Sequence, residues 1–294
     1  MKASPPKLTI SIVNYNAGEY LLKCLDSLKK VKDEVEMEIF VVDNASTDDS
    51  IAQAQKLSPH VNFILNKENL GFGKAHNQVL KNLKTNLILI LNPDVEIGKN
   101  VLKTMTSFLE ENPKTGAATC KIIQADGEID WGSHRGFPTP WASFKYFFLK
   151  DDSLYHLSNL NMDETHQVDA ISGSFFLTRK KILDGVGLFD EDYFMYAEDI
   201  DLCYRIKQAG FEVMYVPQVE IVHHKGISSG PKKHSQHLSA ANLETKQRSL
   251  KAFYQTMKIF YKKHLAKSYP FFINWLVYLG IDLKLWLAKR KLTV

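Results

Sequence analysis

The chain has 294 residues, of which 45% are hydrophobic and 24% are charged, and this composition is typical of a soluble protein with a well-packed core. Its 37 Lys and Arg residues against 33 Asp and Glu residues give a net charge of +4, which is too small to indicate a nucleic-acid-binding protein. The three cysteines are far apart and support neither a disulfide framework nor a zinc site, and an amino terminus without an apolar signal segment favours the cytoplasm.

The first 91 residues alternate between short apolar runs and helical patterns. Four runs predict β-strands, at residues 8–13, 38–42, 61–66 and 86–91. Leu21, Leu25 and Leu28 recur at helical spacing after the first strand, and residues 46–48 offer side chains that cap a second helix. This alternation predicts an α/β fold with a mainly parallel sheet flanked by helices, because parallel neighbours need crossover connections.

Polar residues and glycines follow the ends of these strands. Asn14 follows the first strand, Asp43 the second, the loop NLGFGKAHN the third and the segment NPDVE the fourth. In parallel sheets, ligands bind beyond the carboxyl ends of the strands, so we expect the ligand site at this edge. The loop departs from the GxGxxG fingerprint, so a nicotinamide cofactor is not indicated.

The pattern weakens between residues 113 and 165, where glycine, proline and aromatic residues are mixed. The segment WGSHRGFPTPWASFKYFF predicts an aromatic loop or a partly helical lid. Trp131 and Trp141 fit two interpretations: they stack on the rings of a ligand or on lipid, or they pack in the core. We favour core packing.

A helix predicted over residues 198–209 begins with three carboxylates in the sequence YAEDIDLCYR. Burial of such acids costs several kcal/mol unless a cation or hydrogen-bond donors compensate. Glu198, Asp199 and Asp201 therefore fit either base, metal or hydroxyl-binding chemistry, or acids that stabilise the first turn of a helix. Arg205 lies four residues after Asp201 and is predicted to pair with it.

Residues 231–294 are predicted to form a basic, aromatic helical extension of a catalytic domain that spans residues 1–230. The longest apolar run, residues 270–281, is about half of the roughly 20 residues that span a bilayer. An interfacial helix with peripheral membrane contact is therefore favoured over a transmembrane helix. The alternative is an appendage that packs on the catalytic domain or on the partner in a homodimer.

Seven motifs follow one another along the chain: SIVNYN, VVDNASTDDS, NLGFGKAHN, LILNPDVE, ISGSFFLTR, GLFDEDYFMYAEDIDLCYR and VHHKGIS. In this order they resemble the family 2 glycosyltransferases of the GT-A fold, especially rhamnosyltransferase-like enzymes of bacterial cell-surface polysaccharide. The resemblance covers residues 8–229. It implies inverting transfer of a sugar from a nucleotide diphosphate sugar, with dTDP-rhamnose favoured, to a glycan or polyprenyl-linked glycan, in the cytoplasm or at the inner face of the cell membrane.

The resemblance also implies roles for residues of these motifs. Asp199 is expected to be the catalytic base, and Glu198 is its main rival. Contacts with the nucleotide sugar are expected from the polar residues and glycines of the motifs: Asn14, Tyr15, Asn16, Asp43, Asn69, Gly71, Gly73, Asn77, Asn92 and Gly173.

A divalent metal, Mg²⁺ or Mn²⁺, is implied as well. Asp94 corresponds to the last acid of the family's DxD-type motif. The first acid of that motif is replaced by Asn92 in this chain, so the protein offers fewer ligands to the metal. His223 is expected to complete the site, with His224 as the alternative, since alternation along a strand allows one of the two to face the nucleotide. The competing functions are a non-catalytic nucleotide-sugar-binding partner and a membrane-surface scaffold.

Overall fold

The computed structural model describes residues 7–224 and 243–292. Within them the strands are β1 (Leu8–Asn14), β2 (Met37–Asp43), β3 (Asn62–Leu65), β4 (Leu87–Leu91), β5 (Val95–Ile97), β6 (Thr115–Gln124), β7 (His134–Arg135), β8 (His166–Val168), β9 (Ala170–Ile171), β10 (Phe175–Arg179) and β11 (Glu212–His223). The helices are α1 (Glu19–Lys30), α2 (Ser50–Leu57), α3 (Phe72–Leu80), α4 (Val101–Glu111), α5 (Pro140–Phe144), α6 (Lys180–Val186), α7 (Glu198–Gln208), α8 (Leu243–Phe260) and α9 (Phe271–Leu292), with π-helical turns at Lys145–Leu149 and Tyr261–Leu265. The predicted domain boundary at residue 230 and the end of the last motif lie outside the described residues.

The main sheet has the strand order β3-β2-β1-β4-β10-β6-β11-β5, and β8 pairs with β11. Strands β3, β2, β1 and β4 run parallel, as the alternating pattern predicts. β4 is apolar and buried along its whole length because helices cover both faces of the sheet. Asn14 pairs in register with Asp43, so the carboxyl ends of β1 and β2 lie side by side.

The other half of the sheet is mixed. β10 runs antiparallel between β4 and β6, and β5 and β8 run antiparallel to β11. The sequence pattern did not predict β6, because its first residues, TGAAT, have low strand propensity. β6 has a glycine at residue 116 because α7 packs close to the strand at this point. A Cβ added to Gly116 would lie 2.4 Å from Cγ2 of Ile206 on α7.

Two hydrophobic cores cover the two faces of the sheet. Alternate residues of β4 divide between them, with Leu89 in the core under α1 and α4 and Ile88 in the core under α6 and α7. Phe260 at the end of α8, with Tyr261 and Leu265 after it, belongs to the second core. The carboxyl-terminal helical extension therefore packs on the α/β part of the chain.

One local prediction is wrong. Trp131 and Trp141 are 38% and 59% exposed, so they do not pack in the core. Of the residues 46–48 predicted to cap the second helix, Asp48 bonds its first turn, because its Oδ1 accepts from the backbone N–H of Ser50 at 3.3 Å. Ser46 is bonded to Asp43 instead.

Candidate functional site

Asn14 and Asp43 form a buried polar pair at the carboxyl ends of β1 and β2. Nδ2 of Asn14 donates to Oδ1 of Asp43 at 2.9 Å and to the hydroxyls of Ser46 and Ser50 at 3.0 Å. Oδ1 of Asn14 is left without a hydrogen-bond partner among the described residues. A buried polar atom in that state costs about 1–3 kcal/mol, which a donor on a ligand would offset.

Tyr15 and Asn16 follow at the same edge. Asn16 has a left-handed backbone, with φ of 53°, and its Oδ1 accepts from the backbone N–H groups of Thr47 at 2.7 Å and Asp48 at 3.3 Å. The Asn16 side chain therefore joins the loops that follow β1 and β2. Tyr15 is half-buried, and its contact with a nucleotide stays a prediction.

Three glycines predicted to let a ligand approach are packed instead against aromatic residues of the chain. A Cβ would come within 3 Å of a neighbour at each of them, namely Phe194 at Gly71 (2.2 Å), Phe189 at Gly73 (2.9 Å) and Phe72 at Gly173 (2.5 Å). The close approach that requires glycine is thus made by the protein itself. The sequence shows that glycine is needed but not which group approaches it.

We expect Gly71→Ala to lower the free energy of unfolding by about 3 kcal/mol, because the new Cβ would meet the carbonyl oxygen of Phe194 and φ at this position is +85°. Gly127→Ala is the matched control, since its φ is +87° and nothing lies within 4 Å of the added carbon. The control should lose about 1 kcal/mol from backbone strain alone. Urea denaturation measures both values, and equal losses would contradict the steric explanation.

Asn77 is a correction to the predicted ligand set. Its Nδ2 donates to the carbonyl of Phe189 at 2.8 Å and to Oε1 of Glu191 at 3.0 Å, and its Oδ1 accepts from the backbone N–H of Phe189 at 3.1 Å. The buried amide is therefore used to fix α3 to the loop before α7. Asn69 accepts from the N–H of Gly71 at 2.9 Å, and its ligand contact stays a prediction.

His223 lies between two carboxylates, and all three side chains are buried. Its Nε2 is 3.2 Å from Oδ1 of Asp94, and its Nδ1 is 3.1 Å from Oδ2 of Asp130. Burial disfavours the imidazolium, but the charges of Asp94 and Asp130 outweigh this effect and raise the pKa of His223 to about 9. His224 is turned away, with its Nε2 2.7 Å from Oε1 of Glu96, so His223 is the histidine that faces Asp94.

Asp94 and His223 fit a divalent cation as two of its ligands. Oδ1 of Asp94 is buried and has no hydrogen bond within the described ranges, although Nε2 of His223 lies beside it. A cation there would take the place of the proton on that nitrogen. No group of three or more His, Cys, Asp or Glu side chains in residues 7–224 and 243–292 forms a metal cage, so a bound cation would need further oxygen ligands from a diphosphate or water.

Glu198 and Asp199 open α7 after a strained turn. Tyr196 and Ala197 both have left-handed backbones, with φ of 74° and 65°. Such residues cost about 1–2 kcal/mol each, and strain of this kind is concentrated at functional sites. Oδ2 of Asp199 accepts from the N–H of Gly173 at 3.3 Å, and Oδ1 accepts from the next backbone N–H of the helix at 2.8 Å.

Glu198 and Asp199 differ in burial and in the groups that act on their pKa values. Burial raises the pKa of Glu198 well above its usual range, and the charge of Asp199 raises it further. Burial also raises the pKa of Asp199, but the guanidinium of Arg135 and backbone N–H groups oppose the rise. Glu198 is buried whereas Asp199 is half-buried, so Asp199 is the better placed of the two to act as a base.

Arg135 is a residue of the site that the sequence did not reveal. Its Nη2 donates to the carbonyl of Gly132 at 2.6 Å and its Nη1 donates to the hydroxyl of Tyr155 at 3.3 Å. Its charge acts on Asp199 from the two-residue strand β7, in the part of the chain between residues 113 and 165 where the sequence pattern is weak. Asp130, the second partner of His223, lies in the same part and was also missed, because this segment has no periodicity that would place its side chains.

We expect Arg135→Gln to move the acid limb of the pH–rate profile about one unit towards higher pH. Arg135 holds the pKa of Asp199 down, so its removal raises that pKa, and a base is lost as the pH falls through its pKa. Arg135→Lys keeps the charge and serves as the control. An acid limb that stays in place or moves to lower pH would contradict this account.

Residues 172–174 connect the two halves of the site. The N–H of Gly173 donates to Asp199, and the carbonyl of Ser174 accepts from the N–H of Asn92 at 3.3 Å. Asn92 is half-buried and lies two residues before Asp94. The end of β4, with Asp94, and the start of α7, with Asp199, therefore lie on either side of one short segment.

The chain is similar to known proteins in sequence and fold. Residues 9–187 match the family model described as glycosyl transferase family 2. The chain is 30% identical over 256 residues to the N-acetylglucosaminyl-diphospho-decaprenol L-rhamnosyltransferase of Mycobacterium tuberculosis, with 81% of this chain and 82% of the relative covered. It is 28% identical over 223 residues to rhamnosyltransferase WbbL of Escherichia coli, with 73% and 82% covered.

Among solved structures, GalNAc-T7 with UDP, GalNAc and Mn²⁺ matches with a TM-score of 0.58 at 17% sequence identity. The match covers 84% of this chain and 48% of that chain, so the chain spans about half the length of that protein. At this identity the likeness is one of fold alone, and it confirms the predicted GT-A architecture.

Proposed function

The chain belongs to glycosyl transferase family 2, and from this we propose that it transfers a sugar from a nucleoside diphosphate sugar to an acceptor hydroxyl, with inversion at the anomeric carbon. The short connection through residues 172–174 supports the proposal most strongly, because it sets a carboxylate suited to proton transfer beside the strand end that carries Asp94.

In the proposed reaction, Asp199 takes the proton of the acceptor hydroxyl while that oxygen bonds to the anomeric carbon. The bond from this carbon to the diphosphate oxygen breaks on the opposite face, and the nucleoside diphosphate leaves with the electron pair. A divalent cation, Mg²⁺ or Mn²⁺, held by Asp94 and His223 would neutralise charge on the diphosphate. Asp43 would accept a hydrogen bond from the imide N–H of a pyrimidine base. Oδ1 of Asn14 would accept a hydrogen bond from another donor group of the nucleotide.

The donor proposed is dTDP-rhamnose, because the mycobacterial relative and WbbL of Escherichia coli are named rhamnosyltransferases and an imide N–H suits Asp43. The acceptor proposed is a glycan on a polyprenyl diphosphate, the class that the name of the mycobacterial relative contains. An acceptor of that kind is held in a bilayer, so the reaction would take place at the inner face of the cell membrane.

A panel of nucleotide sugars tests the proposal. The purified chain is incubated with dTDP-rhamnose, UDP-N-acetylglucosamine or GDP-mannose, with Mg²⁺, with Mn²⁺ and with chelator, and release of the nucleoside diphosphate is followed with and without a polyprenyl-linked glycan. We expect metal-dependent, acceptor-stimulated release from dTDP-rhamnose. Binding of a nucleotide sugar without any turnover would overturn the proposal in favour of a non-catalytic partner subunit.

A further inference from the structure

Helix α9 exposes one wide apolar face. Eight large hydrophobic residues are exposed there, and at 100° per residue they cover about 160° of the helix: Phe271, Phe272, Trp275, Leu276, Leu279, Leu283, Trp286 and Leu287. Phe271 is 83% exposed and Trp275 62%. Patches of this extent are uncommon on soluble proteins and indicate a surface that binds something apolar.

A second apolar segment protrudes from the catalytic part of the chain, in α5 and the π-helical turn after it. Trp141, Phe144 and Phe148 are exposed on one helical face, and their rings stack in sequence with centroid separations of 5.7 and 5.2 Å. Phe148 is 72% exposed. Four consecutive residues from Phe147 to Lys150 are exposed, so this segment points outward as a unit.

The two segments adjoin. Nζ of Lys284 on α9 lies 3.2 Å from the ring centroid of Phe147, the residue before Phe148. Side chains along α9 also contact α8 and the turn after it. Asp282 pairs with Lys258 of α8 at 2.5 Å, and Asn274 accepts from the hydroxyl of Tyr261 at 2.6 Å. The exposed face of α9 and the Trp141–Phe144–Phe148 face therefore belong to neighbouring segments, which meet at Lys284 and Phe147.

Charge is distributed unevenly along the chain. Residues 243–292 contain eleven Lys and Arg against two Asp and Glu, a net charge of +9, whereas the whole chain carries +4. The rest of the chain is therefore net negative, at −5. Apolar side chains bordered by cations match a bilayer that contains anionic phospholipid, with acyl chains to receive the rings and phosphates to pair with the cations.

We propose that the exposed faces of α9 and of the Trp141–Phe148 segment together bind the surface of an anionic phospholipid bilayer, with α9 lying in the plane of the interface. Among the described residues, α9 is the one helix long and apolar enough to cross a bilayer. Its lateral contacts at Asn274, Asp282 and Lys284 favour the in-plane arrangement, because spanning would break all of them.

The proposed surface is linked to the catalytic acid by side-chain contacts. The ring of Tyr146, next to Phe147, lies 5.2 Å from the ring of Tyr155. The hydroxyl of Tyr155 accepts from Arg135, whose charge acts on Asp199. A bilayer on this surface would thus be connected to Asp199 through Tyr146, Tyr155 and Arg135.

Vesicle sedimentation of the full chain tests the proposal. The vesicles are phosphatidylcholine alone, or phosphatidylcholine and phosphatidylglycerol in equal parts. Two paired variants probe the two segments separately: Trp141→Ser with Phe148→Ser, and Trp275→Ser with Trp286→Ser. The matched control is Leu57→Ser with Leu65→Ser, which removes two residues that are 58% and 57% exposed elsewhere on the fold. Circular dichroism and thermal unfolding verify that each variant is folded.

We expect the chain to sediment with the anionic vesicles, and either paired variant to weaken binding by roughly tenfold while the control binds like the wild type. An unchanged affinity of the Trp141 and Phe148 variant would overturn the proposal of a joint surface. Protein that resists alkaline extraction would show a spanning helix instead, and a dimer in light scattering that dissociates in the variants would show that a second copy covers the surface. No sugar transfer is needed for these measurements, so they are independent of the proposed reaction.

Discussion

Asp199→Asn is expected to lower the rate of sugar transfer by about 10²–10⁴-fold, because the amide cannot accept the proton of the acceptor hydroxyl. Nucleotide binding should remain, since Asn14, Asp43 and Asp94 are untouched. The amide oxygen of Asn can accept one of the two backbone N–H groups that bond the two carboxylate oxygens of Asp199, so the variant gives up one hydrogen bond at this position. Single-turnover kinetics with dTDP-rhamnose measure the first effect, and calorimetric titration with dTDP measures the second.

Glu198→Gln is the informative comparison. Glu198 is buried with a raised pKa, and Gln resembles the protonated acid in shape and charge. We therefore expect a much smaller loss of rate than at Asp199. If Glu198→Gln abolished transfer while Asp199→Asn left it intact, the base would have to be reassigned to Glu198.

Asp201→Ala is expected to have the largest effect on stability, a loss of about 3–5 kcal/mol. Asp201 is 1% exposed, and its carboxylate pairs with Arg205 at 2.8 Å and with Nε2 of His264 at 2.6 Å. Without it, the guanidinium of Arg205 would lose its buried counter-charge and Nε2 of His264 would lose its hydrogen-bond partner. The contact with Arg205 confirms the predicted Asp201–Arg205 pair. The contact with His264 links α7 to the carboxyl-terminal extension.

The pH dependence of stability follows from the same site. Burial disfavours the carboxylate, but His264 and Arg205 outweigh burial and hold the pKa of Asp201 below its usual range. The folded state therefore gains stability above the unfolded pKa of about 3.9 and loses it as the pH falls through the lower folded value. Asp184→Ala removes a solvent-exposed pair with Lys180 and should cost about 0–1 kcal/mol in urea denaturation. A similar loss for both variants would contradict a buried network at Asp201.

The parallel half of the fold was predictable because each strand is a compact apolar run followed by a polar residue. Asn14, Asp43 and Asp94 lie at the strand ends where the pattern placed them. β6 was missed because Gly116 is required by close packing under α7, a tertiary constraint that local propensity does not contain. The same holds for the glycines of the site, whose neighbours are distant in sequence.

Residues 113–165 show the other limit of sequence patterns. Asp130, which contacts His223, lies in a loop, and Arg135, whose charge acts on Asp199, lies in the two-residue strand β7. Neither segment is long enough for a period of 2 or of 3.6 residues to locate these side chains. Trp141 was expected in the core because large aromatic residues usually are buried. Its exposure became interpretable when the structure placed this segment beside α9.

Binding of Mn²⁺, followed by electron paramagnetic resonance with and without dTDP, tests the central claim that Asp94 and Asp199 belong to one site with separate tasks. We predict nucleotide-dependent binding of Mn²⁺ by the wild type and by Asp199→Asn, and loss of that binding in Asp94→Asn. Mn²⁺ binding that survives in Asp94→Asn, or that is lost in Asp199→Asn, would contradict the division of roles.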